Sequence, residues 1–233
     1  MTTPPPVRRP EHSPVQLSRP GVILCEGRDD ELFLQQLVRR LGLGETIQVI
    51  KTNGKDNLRR DLALLKAAPQ WSEVRGLLIT RDADEDYRAA SQSLLNTIAA
   101  CGLKVSASLN VPSVVSSDSI WLGTYVFPGG SRSGTLEDLC LEIAPNSSVL
   151  KCTDRYMECL RSSVSGEDRR SSYPAQPRKA RLLAYLSGLP GVPNSIGRAA
   201  EQNAWDLEHP ALRELRELLL ELGSVCTYQL GEH

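Results

Sequence analysis

Aromatic residues make up only 5% of this 233-residue chain, and histidine occurs three times, at His12, His209 and His233. So few aromatic rings leave little with which to line an open sugar cleft, and a glycosidase is disfavoured. The histidines fall in the N-terminal segment, before Pro210 and at the C-terminus, so a Ser-His-Asp hydrolase fits poorly. His209 reads instead as a packing or capping residue of the Trp205-Asp206-Leu207-Glu208-His209-Pro210 turn. The six cysteines, Cys25, Cys101, Cys140, Cys152, Cys159 and Cys226, have neither CxxC nor zinc-finger spacing. Several lie in apolar runs, as buried free thiols of a reducing cytosol do, and zinc has no ligand set. No stretch approaches the length of a membrane span and the N-terminus lacks the apolar core of a signal peptide, so a cytoplasmic protein without a membrane partner is expected. A Walker loop is missing too. The segment Thr52-Asn53-Gly54-Lys55-Asp56-Asn57 lacks its glycine spacing and Lys-Ser/Thr ending, which leaves ATP hydrolysis unsupported. Net charge is also small, at −1 from 27 basic and 28 acidic side chains. The chain as a whole is therefore no electrostatic sponge for nucleic acid, although local basic patches and bound cations are compatible with a nucleic-acid enzyme.

Residues 1–19 are rich in proline, carry scattered charge and are expected to be a disordered or extended tail. A short β-branched run follows at residues 21–25, then a helix from about Asp29 with Leu32, Phe33, Leu37, Val38 and Leu41 mostly on one face, closed by Gly42. Residues 47–50 form a second strand, and a helix runs through Leu58, Leu62, Leu65 and Lys66. Residues 77–79 are a third strand and residues 87–101 a third helix, with Leu94, Ile98 and Cys101 inward. Strand, helix, strand, helix, strand, helix, in units of about thirty residues, is the pattern of an α/β open sheet built from right-handed crossovers. Residues 104–110 read as a short edge strand, 111–119 as a loop and 120–127 as a long strand. Thr135 is a plausible cap for the next helix, with Asp138 as its capping-box partner. The remainder is helical with loops, ending in a helix whose apolar face carries Leu212, Leu215, Leu218, Leu219 and Leu222. The expected organisation is a tail at 1–19, an α/β core at 20–150 and a mainly helical extension at 151–233 packed on that core.

The chain is organised around the stretch Leu78-Ile79-Thr80-Arg81-Asp82-Ala83-Asp84-Glu85-Asp86. A buried strand empties into three aspartates at alternate positions. Close carboxylates repel one another unless a cation sits between them. The two readings are a divalent-metal site and a solvated acidic loop. Glu26 stands straight after the first strand and before a glycine, and Asp30 opens the following helix, where it either caps or faces the crevice. Strand ends on the carboxyl edge of a parallel sheet converge, so Glu26 and Asp82 share one crevice. Glu137, in the first turn of a later helix, is a further candidate, although acids are common there. The set Glu26, Asp30, Asp82, Asp84, Asp86 and Glu137 offers only oxygen, which suits Mg²⁺ or Mn²⁺, one ion or two. Such ions bridge phosphate oxygens and activate water. A basic group nearby assists the transition state. Arg178, Lys179 and Arg181 are the most concentrated set and Lys55 the alternative, each of them otherwise a plain surface charge.

These motifs resemble the Toprim domain, the catalytic fold shared by topoisomerases, bacterial primases and the nuclease halves of OLD-family proteins. The match lies in Val22-Ile23-Leu24-Cys25-Glu26-Gly27 with Asp30, and in Asp82-Ala83-Asp84-Glu85-Asp86 as an Asp-x-Asp(-x-Asp) motif. Gly134-Thr135-Leu136-Glu137 resembles the third acidic contribution of the OLD-like branch, and Gly54 stands where the family often carries a glycine. Lys179, the Trp205-Asp206 turn and Pro210-Ala211-Leu212 are similar to small stand-alone bacterial proteins, OLD-related and DUF3226- or DUF4435-like. The resemblance spans residues 20 to 225. It implies an open, mostly parallel sheet flanked by helices, with Glu26 as metal ligand or general acid/base and Asp82 and Asp84 as metal ligands. Asp30, Asp86 and Glu137 would complete a second ion site, and Lys179 would be the lysine that follows the last acidic motif. Lys55, Arg178 and Arg181 are the expected phosphate-binding residues. No ATPase domain, topoisomerase tyrosine architecture or primase zinc module accompanies the motifs. What the resemblance then implies is metal-dependent phosphodiester cleavage of DNA or RNA, alone, as a homodimer or with a partner ATPase, in phage defence or nucleic-acid processing. The competing readings are a catalytically weak binding or regulatory subunit and a small-molecule phosphohydrolase.

Overall fold

Leucine-rich and β-branched runs buried on both faces become the parallel strands of one sheet. The computed structural model describes residues 16–52, 54, 57–103, 113–115, 120–163, 174 and 176–228. The strands are β1 (Gly21–Cys25), β2 (Ile47–Lys51), β3 (Gly76–Asp82), β4 (Ser113–Val115) and β5 (Ile120–Phe127), in the spatial order β2-β1-β3-β5-β4. β1 pairs in parallel with β2 and β3, and β3 with β5. β4 is antiparallel to β5, with Ser113 opposite Leu122. The edge strand expected at residues 104–110 lies outside the described residues. Residues 113–115, read from the sequence as loop, form the edge strand instead. A three-residue strand is too short to show a period of two in the sequence.

Helices α1 (Arg28–Arg40), α2 (Leu58–Lys66), α3 (Tyr87–Ala100) and α4 (Leu136–Glu142) cover the sheet. Beyond them lie α5 (Ser147–Ser163), α6 (Pro177–Ser187), α7 (Ile196–Glu201) and α8 (Arg213–Tyr228). The strand period of two divides the core. Ile23, Leu78, Trp121 and Tyr125 pack on one face with Phe33 and Leu37 of α1, Leu139 of α4, Tyr185 of α6 and Leu218, Leu219 and Leu222 of α8. Val22, Leu24, Leu77, Ile79, Leu122 and Val126 pack on the other with Leu62 of α2 and Leu94 and Ile98 of α3. One continuous apolar cluster thus joins the sheet to helices from the C-terminal third.

α8 lies close against the sheet because two strand residues are glycine. A Cβ on Gly76 would sit 2.3 Å from Leu222 Cδ1, and one on Gly21 would sit 3.2 Å from Cys226 Sγ. Trp121 Nε1 donates to Glu221 on the same helix at 3.0 Å. Tyr185 stacks on Trp205 at 5.8 Å, and His209 Nδ1 accepts from Ala211 N, the capping role that its turn suggested. Residues 16–19, read as part of the tail, are held at β2: Leu17 is buried, and Gln48 Oε1 accepts from Ser18 N and Ser18 Oγ. Residues 1–15 lie outside the described set. Among the described residues, no helix is long and apolar enough to cross a membrane.

Candidate metal centre

After β1 the chain crosses to β2 on one side and then to β3 on the other. The order of strands therefore reverses between β1 and β3, and a crevice opens at their carboxyl ends. Glu26 follows the last residue of β1 and Asp82 is the last residue of β3. Two helix starts supply the other walls. α1 begins at once, with Gly27 at its N-cap and Asp29, Asp30 and Glu31 in its first turn. Asp29 turns away, its Oδ1 accepting from Gly197 N of α7 at 3.1 Å. Asp30 lies on the crevice side, where a Cβ on Gly27 would meet its Oδ2 at 3.0 Å. α4 begins with a full capping box between Thr135 and Asp138, which leaves Glu137 of the same turn to face Asp30 and Asp82.

Two of these four carboxyls, Asp82 and Asp30, register the charge of their neighbours. Burial pushes the Asp82 carboxyl well above its usual range, and the charges of Asp30, Glu26 and Glu137 push it further; a hydrogen bond from Leu136 N to Oδ1, at 2.9 Å, opposes the rise. Burial lifts Asp30 from 3.8 to about 6, with Glu137 and Asp29 adding to the rise and backbone N–H bonds resisting it. Asp30 Oδ1 is buried and has no hydrogen-bond partner among the described residues. The floor registers the same field: burial and then the Asp30 charge raise the Cys25 thiol, and burial and then Glu137 raise that of Cys140. Among the described residues no three His, Cys, Asp or Glu side chains are close enough to cage an ion as they stand. An all-oxygen donor set, two carboxyls that resist ionisation and an orphaned buried carboxyl oxygen nonetheless fit a hard divalent cation.

The other aspartates of the motif are placed differently. Asp84 is exposed, has a left-handed backbone (φ +52°), and its carbonyl accepts from Gly134 N at 2.8 Å. Asp86 is the N-cap of α3, its Oδ1 accepting from Arg88 N and Ala89 N at 2.9 and 3.1 Å. That role accounts for Asp86 without an ion.

The expected cations also separate. Arg178 binds Glu85 through both terminal nitrogens and Asp138 through Nε. Arg181 pairs with Asp154 at 2.8 Å, and Lys179 is exposed on α6 with no ion pair among the described residues. Lys55 lies outside the described residues. The cation that the sequence reading missed is Arg81, whose Nε is 3.6 Å from Glu26 Oε1. Its terminal nitrogen donates to Ser93 Oγ of α3 at 3.0 Å, and its Nε is buried with no hydrogen-bond partner among the described residues. The signal was there: Arg81 shares the strand parity of Leu77 and Ile79, which puts it on the sheet face covered by α2 and α3.

A family model, described as a protein of unknown function, matches residues 20–224. The chain belongs to the DUF3226 family. The matched span of this DUF3226 protein contains all four crevice carboxylates. None of the curated proteins matches it. Among solved structures, it is similar to the C-terminal region of the OLD protein of Xanthomonas campestris pv. campestris, at 16% identity and a TM-score of 0.49, over 92% of this chain and 98% of that one. It is also similar to the C-terminal region of the Burkholderia pseudomallei OLD protein, at 15% identity and a TM-score of 0.47, over 89% and 100%.

Proposed function

We propose that this DUF3226 protein is a Mg²⁺- or Mn²⁺-dependent phosphodiesterase acting on nucleic acid, with a Toprim-type site. The observation that carries the reading is the convergence of Glu26, Asp30, Asp82 and Glu137 from four elements on the point where the strand order reverses, with Asp30 Oδ1 lacking a partner there. Those four hold the ion or ions, and Asp84 contributes from the exposed rim. When bound, the metal activates a water and stabilises charge on the phosphate oxygens.

The chain's own residues divide the remaining work. The Asp82 carboxylate is fixed in orientation by the Leu136 N–H, so that its second oxygen is left for the crevice. Glu26 is held by Arg81 at the end of β1, where it ligates or moves a proton. The Nε of Arg81 is ion-paired with Glu26 but makes no hydrogen bond among the described residues, and it offers a donor beside Glu26 for a phosphate oxygen. Lys179, exposed on α6, serves as the second cationic contact with the substrate.

The test is cleavage of supercoiled DNA, linear DNA and tRNA in Mg²⁺ or Mn²⁺ by the full chain, beside Glu26→Gln and Asp82→Asn. Metal-dependent cleavage by wild type, lost in both variants, is the expected result. Wild type and variants behaving alike would sink the proposal. Turnover of nucleotides with none on polymers would redirect it to small phosphorylated substrates.

A further inference from the structure

We infer that Arg178 is a positioning residue for the carboxylate site, clasping the two acidic loops from outside, and is not the phosphate-binding residue that its place in a basic run suggests. The inference rests on the metal-site reading above. Two segments shape the crevice, 83–86 after β3 and 133–138 before and into α4. They and their flanks already meet, through one main-chain bond and two to side chains: Asp84 O accepts from Gly134 N at 2.8 Å, Asp82 Oδ1 from Leu136 N at 2.9 Å and Ser133 Oγ from Tyr87 N at 3.4 Å.

Arg178, in the first turn of α6, spans both. Its terminal nitrogens lie 2.5 and 3.2 Å from the two oxygens of Glu85, and its Nε lies 3.0 Å from Asp138 Oδ2. All three nitrogens of the guanidinium are therefore committed to protein carboxylates. The Asp138 oxygen is also the one that caps α4, accepting from Thr135 N at 2.9 Å. One planar fork thus sets the angle between the loop that follows Asp82 and the helix start that bears Glu137. The Glu85 arm is well exposed and adds little to stability by itself. Its effect is geometric, because a bidentate guanidinium fixes orientation as well as distance.

Charge and positioning predict opposite signs. If Arg178 were only a positive charge near the site, or a phosphate contact, its removal would leave Mn²⁺ binding unchanged or tighter, since a like charge would be gone. As a positioning residue its removal weakens the metal, by the tenfold or more typical of outer supports of a metal site.

The experiment is calorimetric titration of the full chain with Mn²⁺ alone, for wild type, Arg178→Met and Arg178→Lys, with thermal unfolding of each. The expected result is cooperative unfolding in all three, Mn²⁺ affinity lowered about tenfold in Arg178→Met, and a smaller loss in Arg178→Lys, which keeps the charge but not the fork. Should Arg178→Met fail to fold, Arg178→Lys carries the comparison. Mn²⁺ bound by Arg178→Met as tightly as by wild type, or by Arg178→Lys without loss, overturns the inference and leaves the metal site standing. Absence of Mn²⁺ binding by wild type overturns both.

Discussion

Asp30→Asn should make the metal-free protein more stable, although it removes a conspicuous acid of the site. In the folded chain the Asp30 carboxyl is raised from 3.8 to about 6, first by burial and then by Glu137 and Asp29. At 1.36 kcal/mol per pH unit, keeping it ionised at neutral pH opposes folding by about 3 kcal/mol. The sign follows from the folded value lying above the unfolded one. The penalty is complete above pH 6, falls away as pH drops from about 6 towards 3.8, and is absent below both values. Asparagine has no charge to bury and keeps an oxygen for the backbone N–H groups. The upper limit of the gain, about 3 kcal/mol, corresponds to up to roughly 10 °C in melting temperature for a chain of this size. Calorimetric melts in EDTA at pH 7.5 and pH 5 measure it. Asp30→Asn should melt higher than wild type at pH 7.5 and lose about half of that lead at pH 5. Mn²⁺ at pH 7.5 should raise the melting temperature of wild type and leave the variant nearly unmoved. A variant that melts below wild type in EDTA at pH 7.5, or a gap that ignores pH, refutes the reasoning.

Asp86→Ala removes the N-cap of α3 and should lower stability by about 1 kcal/mol in chemical denaturation, with Mn²⁺ affinity unchanged. Gly76→Ala drives a methyl to within 2.3 Å of Leu222 Cδ1, and should lower the denaturation midpoint by an amount equivalent to about 1–3 kcal/mol through displacement of α8. Cys152 and Cys159 are exposed, whereas Cys25, Cys140 and Cys226 are buried and their thiols are raised by that burial. A disulfide thiol reagent should therefore label the first two promptly in the native protein and the other three only on unfolding.

Much of this architecture was legible because its signals are local. The runs at residues 21–25 and 120–127 are uncharged and mostly apolar, and became β1 and β5 within the same bounds. Glu26 stands directly after the first of these runs and Asp82 closes the strand that begins with Leu77-Leu78-Ile79 after Gly76, so both reach the carboxyl edge of the sheet. Thr135 and Asp138 followed from capping-box spacing alone. The features that escaped depend on long-range contacts. Arg178 meets Glu85 across 93 residues of sequence, and nothing in the Arg178-Lys179-Ala180-Arg181 run says which of its cations turns inward. Asp86 looked like the third member of an acidic motif, yet its φ and ψ place it outside α3 with its oxygen turned on the helix's first N–H groups. Arg81 carries a weaker signal, since a charge at a strand end suits solvent as well as the alternation with Leu77 and Ile79 that puts it beside Glu26 and α3.

The central claim is that Glu26, Asp30, Asp82 and Glu137 form a divalent-cation site, and the most direct measurement is an anomalous difference map from crystals of the full chain soaked in Mn²⁺. The account predicts a peak between the carboxylates of Glu26 and Asp82, with Asp30 Oδ1 among the ligands, and, if two ions bind, a second peak about 4 Å away. A map with no peak in that crevice, or with manganese only on other surface acids, would contradict it.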